Sequence, residues 1–376
     1  MDAVYIPIGI KSRQNMCNDP ADLRRRSALN LKGLREMSAS KSVSWIDDGE
    51  KYALIGLSVK TEGNIPHGII APKLWIVADA QFEFPSHWKE WLGTTRTEEV
   101  EGSNLFLLSK IKSEQPDILD RENQTLQHWV SLFYVGLLLA STFSTAHKPV
   151  VLTGSRRNGE VDVRQQGDFE IPVPCEFRRY PALTATDIET GARLAGKIAK
   201  IEQTRPAGGA SRFFRVLHLY QETRTTADIL ERVHQYSRCI DGLILPKVGE
   251  TKRQFKSRTE LFIEPRYHDL MGEIYDVRSA VEHLHENRYL GEFDREVRLD
   301  LLKKEAIVEH IARTSIARIV ENPVLWPHFA NTTSLADFWA LPGADRKAIW
   351  GDPIDPKMSL ADFEPKFITD AMLGKA

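Results

Sequence analysis

The feature that most constrains the fold is a helical stripe of apolar residues within residues 267–286, which read YHDLMGEIYDVRSAVEHLHE. A spacing of three or four residues is the period of one face of an α-helix and not of a β-strand. At about 100° per residue, the stripe covers an arc of about 80°. We therefore predict an amphipathic helix that packs on other helices. Its stripe residues are Leu270, Ile274, Val277, Val281 and Leu284.

Ionisable side chains lie along the edge of this stripe. On a straight helix Arg278 and His285 are separated by only about 20° around the axis, so their side chains can touch. His283 lies about 140° from Arg278. Arg278 and His283 can therefore converge only if the end of the helix unwinds, or if a second copy completes the site in a two-fold dimer.

These residue types suit RNA cleavage without a metal. A histidine can accept or donate a proton near neutral pH. An arginine can neutralise the scissile phosphate and the charge that builds on it, and RNA supplies its own nucleophile, the 2′-hydroxyl. Ser279 and Glu282 are polar neighbours that can orient these groups.

Composition indicates a globular chain with room for two domains. The 376 residues are 42% hydrophobic and 27% charged, and the net charge of −2 provides no overall basic field for duplex nucleic acid. The three cysteines are too far apart for a metal motif or a disulfide framework, which suits a reducing cytoplasm. We see no signal peptide, and the apolar stretch 129–143 is shorter than the roughly 20 residues that span a bilayer. We predict a cytoplasmic protein.

Residues 1–180 read as a mixed α+β domain. Short runs rich in β-branched and aromatic residues predict strands, and Asn158-Gly159 between alternating apolar residues predicts a hairpin over 150–163. A helix is predicted over 117–143, capped by Asp117 or Asp120. The Pro-rich segment 171–183 marks the domain boundary. The predicted strands are 4–10, 52–59, 74–84 and 105–111, and 22–37, with arginines at 24–26, reads as a polar helix or an exposed arm.

From residue 184 the pattern becomes helical, which predicts an all-α bundle over 184–325. Thr186 to Glu189 fits a capping box that opens a helix ending near Gln203. Further helices are predicted over 227–245 and 297–321, and a short one over 257–263. The polar, basic segment 247–256 reads as a linker. We expect the aromatic residues of the tail, 326–376, to pack over the bundle.

Four basic residues precede the 267–286 helix, namely Lys252, Arg253, Lys256 and Arg258. They can guide the backbone of RNA toward the site, and a solvated loop is the alternative interpretation. Arg258 is the one we expect to be structural, facing Glu260 and Glu264.

The order of these segments resembles the HEPN-domain proteins. The segment IYDVRSAVEH is similar to their signature, an arginine followed after four to six residues by a histidine near the end of a bundle helix. The likeness is greatest to the Apea-like HEPN branch. ILERVHQYSRCIDGLI resembles the preceding helix of the family, and FKSRTELF resembles the basic stretch that links the two. The likeness covers about residues 205–325.

The resemblance implies an all-α HEPN-like bundle and a metal-independent endoribonuclease that dimerises and leaves 2′,3′-cyclic phosphate ends. It implies Arg278 and His283 as the catalytic pair, with His285 as an alternative at the longer spacing. The branch often has glycine after the histidine, whereas Leu284 and His285 follow here, so either histidine can be the one used. Such proteins commonly act in toxin–antitoxin, anti-phage or RNA-processing systems, which implies an antitoxin or regulatory partner.

Other interpretations compete with this one. Arg278 can instead form a structural salt bridge to Asp241 or Glu282, and the histidines can be a solvated helix end. The bundle can be a catalytically silent module for dimerisation and partner binding. Residues two apart on a helix point about 200° apart, so His283 and His285 do not make a metal site, and we expect no metal and no cofactor. The chain has no glycine-rich phosphate loop and no nucleophile elbow.

Overall fold

A computed structural model describes residues 43–172, 181–204, 211–283, 295–361 and 363. An antiparallel sheet region comes first in this part of the chain, and a helical region follows. The predicted strand 4–10 and the arginines at 24–26 lie outside the described residues, as do Cys17, Cys175 and His285.

The sheet has β1 at its centre and runs in the order β2-β3-β4-β1-β5-β6, with β7 also paired to β5. Each pairing between these strands is antiparallel. Only β2-β3 and the strands that follow β5 pair with a near neighbour in the sequence, whereas β1 pairs with the distant strands β4 and β5. The strands are β1 (Glu50–Leu57), β2 (Gly68–Ala71), β3 (Leu74–Ala78), β4 (Leu105–Lys112), β5 (Val150–Arg157), β6 (Glu160–Val161) and β7 (Gln165–Asp168).

Both faces of β1 are covered, because side chains alternate between the faces of a strand. Ala53 and Ile55 join the apolar cluster that contains helix α2 (Arg121–Ala140). Tyr52 and Leu54 point to the other face, where an aromatic cluster includes Trp88 of helix α1 (Trp88–Glu101). The sheet is therefore the middle layer between helix α2 and the segment that carries helix α1.

The hairpin predicted at Asn158-Gly159 is confirmed. Both residues have the positive φ that a tight hairpin turn requires, 53° and 82°. The predicted strands 52–59, 74–84 and 105–111 correspond to β1, β3 and β4, and 74–84 is shorter than predicted because a 3-10 turn begins at Asp79. Strands β2 and β7 and helix α1 were not predicted. Helix α1 contains Gly93 at φ 73°, which interrupts its helical period.

Helix α2 is buried as predicted and begins after Asp120, whose carboxylate accepts a 2.9 Å hydrogen bond from the Glu122 amide. It packs along helix α3 (Ala185–Gln203). The two backbones meet where Gly136 faces Gly191, so closely that a Cβ at Gly136 would lie 2.0 Å from the Gly191 carbonyl oxygen. Only the absence of a side chain allows this approach.

The capping box of α3 lies two residues earlier than predicted. Thr184 and Asp187 exchange the reciprocal hydrogen bonds, and Thr184 has an extended backbone. Thr186 is already inside the first turn, so its side chain is not the cap.

The helical region contains eight further helices among the described residues. Helices α5, α7 and α8 occupy the segments predicted at 227–245, 267–286 and 297–321. The basic segment 247–256 was predicted as a linker, but most of it belongs to helix α6, because Phe255 and Thr259 anchor that helix in the core. The eight are α4 (Arg212–Thr223), α5 (Ile229–Ile244), α6 (Thr251–Thr259), α7 (His268–Glu282), α8 (Arg295–Glu321), α9 (Trp326–Phe329), α10 (Thr332–Ala340) and α11 (Gly343–Trp350).

Aromatic residues in the described part of the tail pack against the helical region. Trp350 is buried with its ring centroid 4.4 Å from that of Phe262. The Trp339 indole donates a 3.1 Å hydrogen bond to the carbonyl of Leu243, the penultimate residue of helix α5. The tail therefore closes one end of helix α5.

A buried arginine joins the helical region to the sheet region. Arg224 follows helix α4, is only 2% exposed and donates to the carbonyls of Ser141 (3.4 Å) and Phe143 (2.9 Å), just beyond helix α2. Tyr220 donates to the Leu138 carbonyl at 3.1 Å. Since a lone buried guanidinium is costly, these carbonyls are what make its burial possible.

Candidate functional site

Helix α7 presents Arg278 to the neighbouring helix α5. Ile274 and Val277 of the predicted apolar stripe are buried, and they seat helix α7 on the bundle. Arg278 lies beside this stripe with 13% of its side chain exposed. Its guanidinium carbon lies 5.2 Å from the centre of the Tyr275 ring, so the aromatic face supports the cation.

Carboxylates from both helices hold the guanidinium of Arg278. Nη2 lies 3.3 Å from Oδ2 of Asp241 on helix α5. Nη1 contacts the carboxylate of Glu282, one turn further along helix α7. The ion pairs that the sequence suggested for Arg278 are therefore present with both carboxylates. Asp241 is the inner partner, and Glu282 is 40% exposed at the outer edge.

Burial raises the pKa of the Asp241 carboxyl to about 6. Arg278 lowers this pKa and the nearby Glu282 carboxylate raises it, so the ion pair only partly offsets the loss of water. Oδ1 of Asp241 is buried and has no hydrogen-bond partner among the described residues. The carboxylate form of Asp241 therefore still predominates at pH 7, but protonation sets in about two units closer to neutral pH than for an ordinary Asp.

His283 is the residue at which helix α7 ends. Its backbone has φ −97° and ψ 6°, and its amide donates a 3.1 Å hydrogen bond to the Ser279 carbonyl. Its side chain is exposed, while Ser279 is half-buried. Within one protomer, His283 can approach Arg278 only if the helix ends at this point, and helix α7 ends at Glu282.

The predicted RNA-binding residues on helix α6 are paired with carboxylates. Lys252 lies 2.6 Å from Asp276, and Lys256 lies 3.3 Å from Asp269, both on helix α7. Arg253 contacts Glu250 at 2.7 Å and is 74% exposed. The pairs of Lys252 and Arg253 are exposed, so they are worth little and can open for another anion.

Arg258 is structural, as expected, but through other partners than Glu260 and Glu264. Its Nη1 donates to the carbonyls of Ile244 (2.5 Å) and Leu245 (2.7 Å), at the end of helix α5. Its guanidinium also lies over the Trp339 ring. It ends helix α6 instead of beginning a helix, and from there it reaches the free carbonyls of helix α5.

Three further ionisable residues belong to this neighbourhood, and the sequence did not single them out. Arg212 on helix α4 and Arg238 on helix α5 both act electrostatically on Asp241. The pKa of His234 on helix α5 is lowered chiefly by burial; Arg278 also lowers it and Glu282 raises it. His234 and Asp241 are seven residues apart, which places them on one face of helix α5 within about 20°. That spacing is the signal that could have found His234.

In the described part of the chain, no three His, Cys, Asp or Glu side chains are grouped so that they could hold a metal ion. No helix there is both long and apolar enough to cross a membrane. Comparison with models of known families gives no match, and neither curated proteins nor solved structures match the chain.

Proposed function

We propose that this protein is a metal-independent endoribonuclease of the HEPN type that acts as a homodimer in a toxin or anti-phage defence system. Arg278 binds the scissile phosphate and His283, or alternatively His285, moves a proton. The observation that carries this proposal is the position of the Arg278 guanidinium, which is fixed by Asp241 and Glu282 one turn before the exposed end of helix α7.

A preset guanidinium suits the stabilisation of a phosphate. Because Asp241 and Tyr275 already hold the guanidinium in place, the binding of an anion costs little conformational entropy. Glu282 occupies the outer edge and is the more exposed carboxylate, so a phosphate oxygen can replace it on Nη1. Cleavage then forms a bond from the 2′ oxygen to phosphorus and breaks the bond to the 5′ oxygen, which leaves a cyclic phosphate.

The rest of the chain has a role in this proposal. Lys252, Arg253 and Lys256 of helix α6 exchange their carboxylate partners for the RNA backbone. The sheet region senses the trigger or selects the RNA, and an antitoxin or regulatory partner restrains the activity. A second protomer brings its own helix α7 to the same cleft.

The test uses purified protein and mixed RNA in excess EDTA. We expect wild type to cleave and leave 2′,3′-cyclic phosphate, with the activity lost in Arg278→Ala and in either His283→Ala or His285→Ala. Matched controls come from residues outside the cluster. These controls are His268→Ala and Arg266→Ala. His268 lies at the start of helix α7 beside Glu260, and Arg266 is exposed and paired with Glu264. Cleavage that is indifferent to the site variants would refute the assignment.

A second candidate function is a catalytically silent module for dimerisation and partner binding. It is favoured by the occupation of both Nη groups of Arg278 by carboxylates, which is also how a structural arginine is held. Overexpression separates the two. Growth arrest that Arg278→Ala and His283→Ala relieve supports the nuclease, whereas an unchanged RNA profile supports the module.

A further inference from the structure

Of the two carboxylates that hold Arg278, Glu282 is the one that solvent reaches. Its side chain is 40% exposed, and its carboxylate contacts Nη1 of the guanidinium. Asp241 is only 14% exposed, and its Oδ1 is buried. An RNA strand that approaches Arg278 from solvent therefore meets the carboxylate of Glu282 and not that of Asp241.

Helix geometry places Glu282 and Arg278 on one face of helix α7. Residues four apart are separated by about 40° around the axis and are neighbours along it. His283, one residue further on, lies about 140° from Arg278 on a straight helix. Glu282 is still inside the helix, which ends there. The carboxylate and the guanidinium of one protomer therefore meet without any unwinding of the helix.

A carboxylate at this position has the chemistry of a general base. An ionised carboxylate only accepts hydrogen bonds, and Asp and Glu serve as proton acceptors in catalysis. In a reactive geometry the 2′ oxygen of RNA lies about 3–3.5 Å from phosphorus. A phosphate oxygen that takes Nη1 of Arg278 displaces the Glu282 carboxylate only to the edge of the guanidinium, because its side chain is anchored one turn away. The displaced carboxylate is then beside the 2′-hydroxyl.

We propose that Glu282 is a catalytic residue of this site and acts as the general base for RNA cleavage. The inference rests on the proposed function and assigns the proton transfers within it. The Glu282 carboxylate takes the proton of the 2′-hydroxyl as the 2′ oxygen bonds to phosphorus, and Arg278 balances the charge on the phosphoryl oxygens. The bond from phosphorus to the 5′ oxygen breaks, and the leaving oxygen takes a proton from the imidazolium of His283. Both side chains are exposed, so they exchange protons with solvent before the next turnover.

This assignment gives each side chain at the end of helix α7 one task. Arg278 and His283 diverge on the helix, so a single histidine does not easily serve both proton transfers. Glu282 approaches the phosphate from the side of Arg278, and His283 approaches it from the helix end. The base and the acid are then neighbours in sequence, about 100° apart around the axis, and experiment can separate their tasks.

A base must also be separated from a residue that only positions Arg278. Glu282→Gln keeps a side-chain oxygen that accepts a hydrogen bond from Nη1, but an amide does not take the proton. Glu282→Ala removes the carboxylate and leaves room for formate, which supplies a small carboxylate from solution. A loss in Glu282→Gln together with recovery of Glu282→Ala in formate therefore reports proton transfer, whereas a positioning role predicts that Glu282→Gln stays active.

The experiment compares single-turnover cleavage by wild type and by variants on two substrates, ordinary RNA and RNA in which sulfur replaces the 5′ oxygen at the cleavage site. A sulfur leaving group needs no acid, so it restores activity to a variant that lacks the acid and not to one that lacks the base. We expect Glu282→Gln to lose about 100-fold or more on both substrates, and His283→Gln to recover on the sulfur substrate. The matched control is Glu264→Gln, since Glu264 is 41% exposed and paired with Arg266 outside the site. It should match wild type.

The possible results separate this inference from the proposed function. A wild type that cleaves while Glu282→Gln cleaves as fast or faster overturns the role of Glu282 and leaves the proposed function standing. Recovery of Glu282→Gln on the sulfur substrate would make Glu282 the acid and overturns the assignment as well. If Glu282→Gln fails to fold, Glu282→Ala decides, and a folded variant that formate does not restore overturns the inference. A wild type that does not cleave overturns both.

Discussion

The close contact between helices α2 and α3 makes Gly136→Ala a sharp test of the fold. A Cβ at Gly136 would lie 2.0 Å from the Gly191 carbonyl oxygen and 3.2 Å from the Ala195 amide nitrogen. A carbon and an oxygen that are not bonded rest at about 3.3 Å, so the helices must separate by more than about 1 Å. Both contacts are with backbone, which cannot rotate away as a side chain can.

The magnitude follows from two opposing effects. Overpacking costs about 1–3 kcal/mol, and a backbone clash belongs at the upper end, about 3 kcal/mol. Alanine is better than glycine in a helix by about 1 kcal/mol, so the net loss in the free energy of unfolding is about 2 kcal/mol. With a urea slope of about 3 kcal/mol per M, the midpoint falls by about 0.7 M.

The matched control is Gly196→Ala in helix α3. Nothing lies within 4 Å of a Cβ built there, so the same substitution should stabilise by about 1 kcal/mol. Urea unfolding followed by circular dichroism measures both. A Gly136→Ala midpoint equal to or above that of wild type would refute the packing argument, and equal shifts in the two variants would show that helix propensity alone decides.

Three further predictions use the charged groups. Arg232 and Glu305 form a buried ion pair at 2.8 Å, so Arg232→Met should lower the free energy of unfolding in urea by about 3–5 kcal/mol. The double variant Arg232→Met, Glu305→Leu should recover most of that loss, because no buried charge is left unpaired. Equal losses in the single and double variants would contradict this. The folded state raises the pKa of Asp241 from 3.8 to about 6, so this carboxyl makes stability fall as pH rises through that window. Relative to wild type, the stability of Asp241→Asn should rise by about 2 kcal/mol between pH 4 and 7, and a pH-independent difference would refute the assignment. Arg258→Met should lower the free energy of unfolding by about 2 kcal/mol, because two carbonyls at the end of helix α5 lose their charged donor. Arg253 is exposed, so the stability of Arg253→Met should stay within about 0.5 kcal/mol of wild type. Similar thermal melts for the two variants would contradict the structural role of Arg258.

The long periodic segments could be predicted from the sequence because their apolar stripes decide their structure. Helices α5 and α8 lie within a few residues of their predicted bounds, and the Asn158-Gly159 turn is where its residue types place it. Helix α1 was missed because Gly93 breaks its period. Strand β2 is a short edge strand with partly exposed residues, so it lacks the alternation that marks a half-buried strand.

The site was only partly predictable. Arg278 and its carboxylate partners could be proposed from one helix and its neighbours in sequence. The effect of Arg278 on the pKa of His234 depends on how helices α5 and α7 pack, which no pattern within either helix contains. The partners of Arg258 are likewise set by tertiary packing, because the carbonyls of Ile244 and Leu245 come within reach only when helix α6 folds back.

The burial of Arg224 has a mechanical consequence. A hinge needs a few residues that can change their dihedral angles while the parts on either side stay intact. The end of helix α2 does not meet this condition. Bending there would separate the Ser141 and Phe143 carbonyls from the Arg224 guanidinium, which is too deeply buried for solvent to take their place. The connection between helix α2 and helix α4 is therefore rigid, and a displacement of the sheet region should move helix α4 as a whole.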